Sequence, residues 1–496
     1  MPNPEKIFRV RLLGENALRD VSGVAPALVA GVGLKARLSE LVGESGEAAP
    51  SAGTDSGGDR AMTGLELSIA SDWSRPIAEL RWQIDHVVRR VRRLYDLLGA
   101  HPQLEAEAAP HNLAAAVALD LRRAFGNGRD AQPPAGHSPG LQSKLRHPRE
   151  GLGLDDETER FAASEDLFRR WVNEDPAVRT SIAICDDVRQ LAALDLAGGV
   201  LEIEIIEEAR ARELGLNLLL AVGQASDASP PRLALARWTP SGMSQSRPPL
   251  MLLGKGITFD TGGINVKPYE SFVSHMRNDM AGAALAFAAF RHLIMGGYPR
   301  PLVLAIPTCE NAIGERAMRP GTVVKSHRGL RVKIDHTDAE GRLVLADALS
   351  YAEERFAPEL TFCFATLTTA ALQAYGPYAT PVHFAPAPIE RALRQASDAT
   401  GEDLHFFPSR AWHYEANRDD EADLKNTGRL PGYMPHAAGS RNAAHFLLHF
   451  ARAPLVHADI FASTWNWGGD FPGTGYGATG APLRTFVRAL EALAND

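Results

Sequence analysis

The sequence predicts an α/β protein of two domains, each a mixed sheet flanked by helices, with an active site at the strand ends of the C-terminal domain. Three observations carry that expectation. The chain has 496 residues, and a guide of roughly 150 residues per domain gives two to four domains and more than one core. From about residue 165 onward, helical periodicities alternate with short apolar runs. Glycine-rich acidic segments then stand just past the carboxyl ends of such runs, where open α/β sheets place their ligands. The expected division is 1–165, carrying the Gly- and Pro-rich loops, and 166–496, carrying the chemistry.

In chain order, 43–60 and 126–153 are rich in Gly, Pro, Ser and charge, and cannot bury enough apolar surface to offset their ordering entropy. Between them, 77–98 reads as a basic amphipathic helix, with Leu80, Ile84, Val87, Val88, Val91 and Leu94 at helical spacing. Its arginines, Arg89, Arg90, Arg92 and Arg93, read as a solvated face or an interface. Residues 250–253 form a buried strand that ends at Gly254, entered through Pro248 and Pro249. A largely apolar helix follows over 281–295, then strands over 302–306 and 332–334. A helix over 343–356, strands over 360–365 and 455–461, and a final helix over 482–493 complete the pattern.

The composition is that of a soluble globular protein, 45% apolar and 23% charged. The 52 basic and 60 acidic residues leave a net charge of −8, which argues against a protein built mainly to hold nucleic acid phosphates. Cys185, Cys309 and Cys363 lie far apart and form no CxxC pair, as expected in a reducing, cytoplasmic compartment. The first thirty residues carry no sustained apolar h-region, and no run of 18 apolar residues spans a membrane. No P-loop pattern is present, and no GxSxG stands at a strand-to-helix turn as a nucleophile elbow requires. Gly475, Gly477 and Gly480 spell GxGxxG without a leading strand or a downstream acidic ribose partner. His445 and His449 sit four apart, but Phe446 stands where a zinc peptidase of the HExxH type needs glutamate.

The strong signal lies in three short segments. The first, 254–268, reads GKGITFDTGGINVKP and contains Lys255, Asp260 and Lys267. The second, 276–282, reads MRNDMAG, with Asp279 at the mouth of an apolar helix. The third, 336–343, reads HTDAEGRL, and Asp338 and Glu340 would point the same way in an extended segment. Four carboxylates converging uncompensated would repel one another, and two divalent cations about 3.5–4 Å apart remove the conflict.

These segments resemble the leucyl aminopeptidase family of dinuclear metallopeptidases. Its NTDAEGRL signature is met by HTDAEGRL, and its GKGxxFDxGGxxxKP block is matched at every defined position from Gly254 to Pro268. The resemblance covers roughly 165–496 and extends to the CEN, RPG, ATLT, HADI and GATG segments. It implies that 1–165 is a variable N-terminal domain and 166–496 the catalytic metallopeptidase domain. Asp260 and Glu340 would bridge two metal ions, Asp338 would complete one site, and Lys255 and Asp279 the other. Zinc is the default ion and manganese, magnesium or cobalt an alternative. A water held by the metals would attack the scissile carbonyl of a peptide with a free N-terminus. Lys267 would stabilise the oxyanion, and Arg342 would hold a bicarbonate acting as general base. Thr366, Leu367 and Thr369 would line the peptide, with Met276 on the floor of the first-residue pocket. The family's usual assembly is a homohexamer, with no membrane contact.

Three departures from the family pattern stand out. His336 replaces Asn, Thr369 replaces Gly, and Phe461 replaces a small Ala; the last two add volume near the first-residue pocket and predict that it is narrowed. The loop over 429–441, RLPGYMPHAAGSR, departs from a glycine-rich run. The competing readings are a catalytically impaired paralogue, another dinuclear hydrolase such as a phosphatase, and a DNA-binding regulator using the arginine face of 77–98 and the basic run 144–149.

Overall fold

The structure, a computed structural model, describes residues 7–14, 35–42, 62–71 and 101–106, the positions 80, 84 and 117, and 156–494 apart from 197, 243–246, 378, 429–437 and 467–475. The chain divides into two compact units, Met1–Glu159 with two short stretches from later in the chain, and the remainder. Among the described residues the first contains four strands, β1 (Ile7–Gly14), β2 (Lys35–Val42), β3 (Met62–Ser71) and β4 (His101–Ala106), in the order β2-β3-β1-β4. Of the helix expected over 77–98, Leu80 and Ile84 are helical and buried, and its arginines lie outside the described residues. So do the loops 43–60 and 126–153, the basic run 144–149, and 429–437 of the departing loop.

The second unit is built on a nine-stranded mixed sheet. Its strands are β5 (Gly199–Ile206), β6 (Arg232–Pro240), β7 (Leu250–Gly254), β8 (Gly256–Asp260), β9 (Leu302–Asn311), β12 (Leu360–Ala365), β13 (Ala379–His383), β14 (Asp403–Phe407) and β16 (Leu455–Asp459). Smaller sheets join β10 (Val323–Lys325), β11 (Arg331–Lys333) and β15 (Leu424–Lys425), and β17 (Trp465–Asn466) with β18 (Gly477–Ala478). The order across the large sheet is β14-β13-β16-β12-β7-β9-β6-β5, with β8 beside β9. The central strands β16, β12, β7 and β9 run parallel, so their carboxyl ends lie on one edge. They are buried almost throughout because both faces are covered. Alternation sends Met251, Leu253, Val303, Ala305, Cys363 and Ala365 into one core with the apolar side of the helix Gly341–Phe356. The opposite face carries Gly254, against the first turn of the helix Ala281–Met295.

The longer helices among the described residues are α1 (Asp156–Asn173), α2 (Ser181–Gln190), α3 (Asn217–Gly223), α4 (Ala281–Met295), α5 (Gly341–Phe356), α6 (Ala387–Thr400), α7 (Gly439–Leu448) and α8 (Leu483–Ala494). Among the described residues, no helix is long and apolar enough to cross a membrane.

Beneath α7 the sheet buries histidines. His457 on β16 lies opposite His383 on β13, their rings 5.9 Å apart and nearly parallel. Neither ring nitrogen of His457 has a hydrogen-bond partner among the described residues. Burial, helped by Arg342, pushes its pKa down to about 3. Above the unfolded value of about 6.5 both states are neutral; below it the unfolded chain binds a proton that the fold refuses. Stability is therefore expected to fall as pH drops from 6.5 towards 3. Thermal midpoints between pH 7.5 and 5 should fall less steeply in His457→Gln than in the wild type; parallel curves would contradict the assignment.

Candidate metal centre

The strand ends bring three stretches of chain together. Lys255 follows β7, with its N–H donating to Phe364 O at 3.0 Å and its carbonyl accepting from Ala283 N at 2.7 Å. Asp260 closes β8 and turns the chain: its Oδ1 accepts from Gly262 N at 2.9 Å, where φ of +86° favours glycine. Asp279 lies in the last turn of the 3-10 segment Val273–Met280 that leads into α4. Asp338 and Glu340 lie in the turn before α5. That segment is not extended as the spacing suggested; the turn sends Asp338 to Lys267 and Glu340 to Lys255. Thr337 staples this turn to the glycine loop, donating to Gly262 O at 2.6 Å and accepting from Asn265 N at 2.9 Å. Gly341 permits the close approach that follows, since a Cβ there would lie 2.4 Å from Lys255 Cε.

Lys255 Nζ lies 2.8 Å from Asp279 Oδ1, 2.9 Å from Glu340 Oε1 and 2.8 Å from Thr366 O. Lys267 Nζ lies 2.8 Å from Asp260 Oδ2 and also pairs with Asp338. Burial works against both ammonium groups, but the surrounding carboxylates outweigh it and raise both pKa values above the ordinary lysine range. Asp260 feels burial too, yet Lys267 and Lys255 hold it below the usual carboxylate value. Asp338 is pushed up to about 7 by burial and by its neighbours Asp260 and Glu340. Asp279 is raised, chiefly by burial.

The residues fit a divalent cation. One oxygen from each of Asp260, Asp279 and Glu340 lies within 4.8 Å of the others, and all three residues are buried. Glu340 Oε2 has no hydrogen-bond partner among the described residues, a costly state for a buried carboxylate oxygen and a ready position for a cation. Four carboxylates against two ammonium groups leave an excess of negative charge when all are ionised.

The remaining expected site residues divide. Thr366 is buried beside the cluster, its Oγ1 donating to Asp279 Oδ1 at 2.9 Å. Leu367 donates its N–H to Asp459 Oδ1 at 3.1 Å, so the group it can present is its carbonyl. Thr369 is exposed at the start of the short helix Ala370–Tyr375. Met276 and Phe461 are both buried. Arg342 is buried, donates from Nη1 to Asn426 O at 2.8 Å, and burial lowers its pKa to about 10. His336 accepts from Asp338 N at 3.2 Å through Nδ1, a role an asparagine oxygen could also fill. Two further residues were not singled out in the sequence. Asn311 ends β9 and donates to Asp260 Oδ1 at 2.8 Å and Thr337 O at 3.1 Å. Asp459 ends β16, accepting from the N–H groups of Leu367 and Thr368 and, at 2.7 Å, from Thr368 Oγ1. Both lie in segments covered by the family resemblance, CEN and HADI, and that was the available signal.

Residues 166–487 match the family described as "Cytosol aminopeptidase family, catalytic domain". A probable cytosol aminopeptidase of Geobacter sp. (strain M21) is 35% identical over 337 residues, 68% of this chain and 65% of the relative. One of Cereibacter sphaeroides is 39% identical over 335 residues, 66% of this chain and 65% of the relative. The matched stretch thus spans less than two thirds of either relative. Among solved structures, a bottromycin maturation enzyme, BotP, in complex with Mn aligns with a TM-score of 0.75 at 27% identity, covering 98% of this chain and 99% of that one. A cytosol aminopeptidase from Coxiella burnetii aligns with a TM-score of 0.74 at 25% identity, covering 99% and 98%.

Proposed function

This chain belongs to the cytosol aminopeptidase family, and on that premise we propose that it is a metal-dependent aminopeptidase, a hydrolase that releases N-terminal residues from peptides. The observation that carries the reading is the buried meeting of Asp260, Asp279 and Glu340 around Lys255. In this reading Lys255, Asp260, Asp279, Asp338 and Glu340 hold two divalent ions. Such ions, when bound, supply Lewis acidity and lower the pKa of a water.

The chain's own residues supply the rest. Lys267 keeps its ammonium across the physiological pH range and is poised to donate to a developing oxyanion. Arg342, buried and with its Nε lacking a partner among the described residues, is suited to hold a small anion such as bicarbonate, the general base of this proposal. Thr366 fixes Asp279, while Asp459 fixes the peptide plane of Leu367 and so aims its carbonyl towards the substrate chain. Burial of the cluster excludes water and strengthens each of these electrostatic contacts.

The pocket for the first residue is proposed to be narrowed by Phe461, with Met276 as its floor and Thr369 at its rim. The similarity to BotP, solved with Mn, makes manganese the first ion to load and suggests a divergent substrate rather than a general digestive role. The proposal extends to a cytoplasmic homohexamer. The Mn-loaded protein on a panel of aminoacyl amides should cleave one class of small first residue better than Leu. A plain preference for Leu over Ala and Gly would refute the narrowed pocket and leave the aminopeptidase reading standing.

A further inference from the structure

Among the described residues, five serines lie within hydrogen-bond distance of a histidine. Ser164, Ser350 and Ser440 are buried, which leaves no room for a reacting partner. Ser274 touches its own chain neighbour His275, whose other ring nitrogen faces Tyr476. Ser409 is different: it is exposed, and it lines a cavity of about 400 Å³.

The hydrogen bonds around Ser409 fix a direction. His445 Nδ1 lies 2.7 Å from Arg441 O, a carbonyl that can only accept, so Nδ1 carries the proton. His445 Nε2, 2.9 Å from Ser409 Oγ, is then the acceptor, and the serine hydroxyl donates to it. That is the ground-state arrangement of a serine nucleophile and its general base, with a backbone carbonyl orienting the imidazole where a carboxylate often stands. Ser409 sits between β14 and the short helix Ala411–Glu415, and His445 is anchored on α7. Burial lowers His445 to about 4, which keeps it unprotonated at neutral pH.

The cavity says what could react there. Val382, Phe384, Phe406 and Phe407 line it. Its two charged lining residues, Glu390 and Arg394, neutralise each other through contacts of 2.9 and 2.7 Å, and Arg394 also lies over Phe406 at 4.3 Å. The recess is net-neutral and sets these rings beside polar groups, so it suits a short uncharged acyl group. None of its lining residues belongs to the metal cluster.

We propose that Ser409 and His445 form a second, metal-independent reactive site that accepts short uncharged acyl groups from esters. Ser409 Oγ bonds to the acyl carbon as its proton passes to His445 Nε2; the ester C–O bond breaks and the alcohol leaves with that proton. Water then attacks the acyl-serine with His445 again as base, releasing the carboxylic acid and restoring the hydroxyl. Without a carboxylate behind it the imidazolium is poorly stabilised in both steps; an activated ester, whose leaving group needs no proton, still acylates Ser409, whereas the resulting alkyl ester hydrolyses slowly and the acyl-enzyme accumulates.

The test is p-nitrophenyl butyrate hydrolysis by the full chain, with and without EDTA. The expected result is a burst approaching about one nitrophenolate per chain, insensitive to EDTA, with a butyryl mass increment on Ser409. Ser409→Ala should abolish the burst while retaining aminopeptidase activity within about two-fold, which reports an intact fold, and His445→Gln should slow the burst at least about ten-fold. No burst in the wild type, a burst unchanged in Ser409→Ala, or acylation at another residue would overturn the proposal. Each leaves the aminopeptidase reading untouched.

Discussion

Glu340→Gln is expected to lower kcat/KM for an aminoacyl amide by about 10³-fold or more, because it removes a charge from the proposed metal centre while preserving shape. Glu340 is one of three buried carboxylates whose oxygens lie within 4.8 Å of one another, and its Oε2 has no partner among the described residues. The amide cannot replace the negative charge there, and its NH₂ group cannot act as a ligand. It can still accept from Lys255, which pairs with Glu340 Oε1 at 2.9 Å, so the fold should survive. Steady-state kinetics at saturating Mn, beside a thermal melt, checks both halves. Activity within ten-fold of wild type at unchanged melting temperature would contradict the assignment of Glu340.

Gly341→Ala should cost activity by about 10²-fold, since a displacement near 1 Å in a reacting centre has that order of effect. An alanine in a helix is ordinarily better than glycine by about 1 kcal/mol, so the helix alone predicts stabilisation. Packing predicts the opposite sign. The new Cβ would lie 2.4 Å from Lys255 Cε and 2.7 Å from its Nζ. Lys255 cannot swing aside without leaving Asp279, Glu340 and the Thr366 carbonyl. Overpacking of this kind typically costs about 1–3 kcal/mol. A raised melting temperature with full activity would show that the lysine has room to move.

The buried frame was largely legible in the sequence. The runs at 250–253 and 302–306 are continuously apolar, and 360–365 is broken only by Thr361, because both sheet faces are covered; the helix over 281–295 has the bounds its composition suggests. The strand over 455–461 stops at Asp459, where the carboxylate turns back to the Leu367 and Thr368 N–H groups. Less legible were the outer strands. Gly199–Ile206 alternates apolar and acidic residues at an antiparallel edge, and Ala379–His383 contains Pro381, which reads against a strand. Neither pattern says which strand it will join. The candidate site was legible through its carboxylates and lysines, crowded into three short segments. Asn311 and Asp459 were not, because each acts on a segment distant in the chain: Asn311 on Asp260, 51 residues away, and Asp459 on Leu367, 92 residues away.

The central claim is that these acids and Lys255 exist to cage divalent ions. Isothermal titration of Mn into chelator-treated full-length protein tests it most directly. The expected result is uptake of about two ions per chain, with proton release as Lys255 and Asp338 give up their protons, and loss of uptake in Asp260→Asn. A flat titration of folded wild-type protein, or the same binding curve from Asp260→Asn, would contradict it.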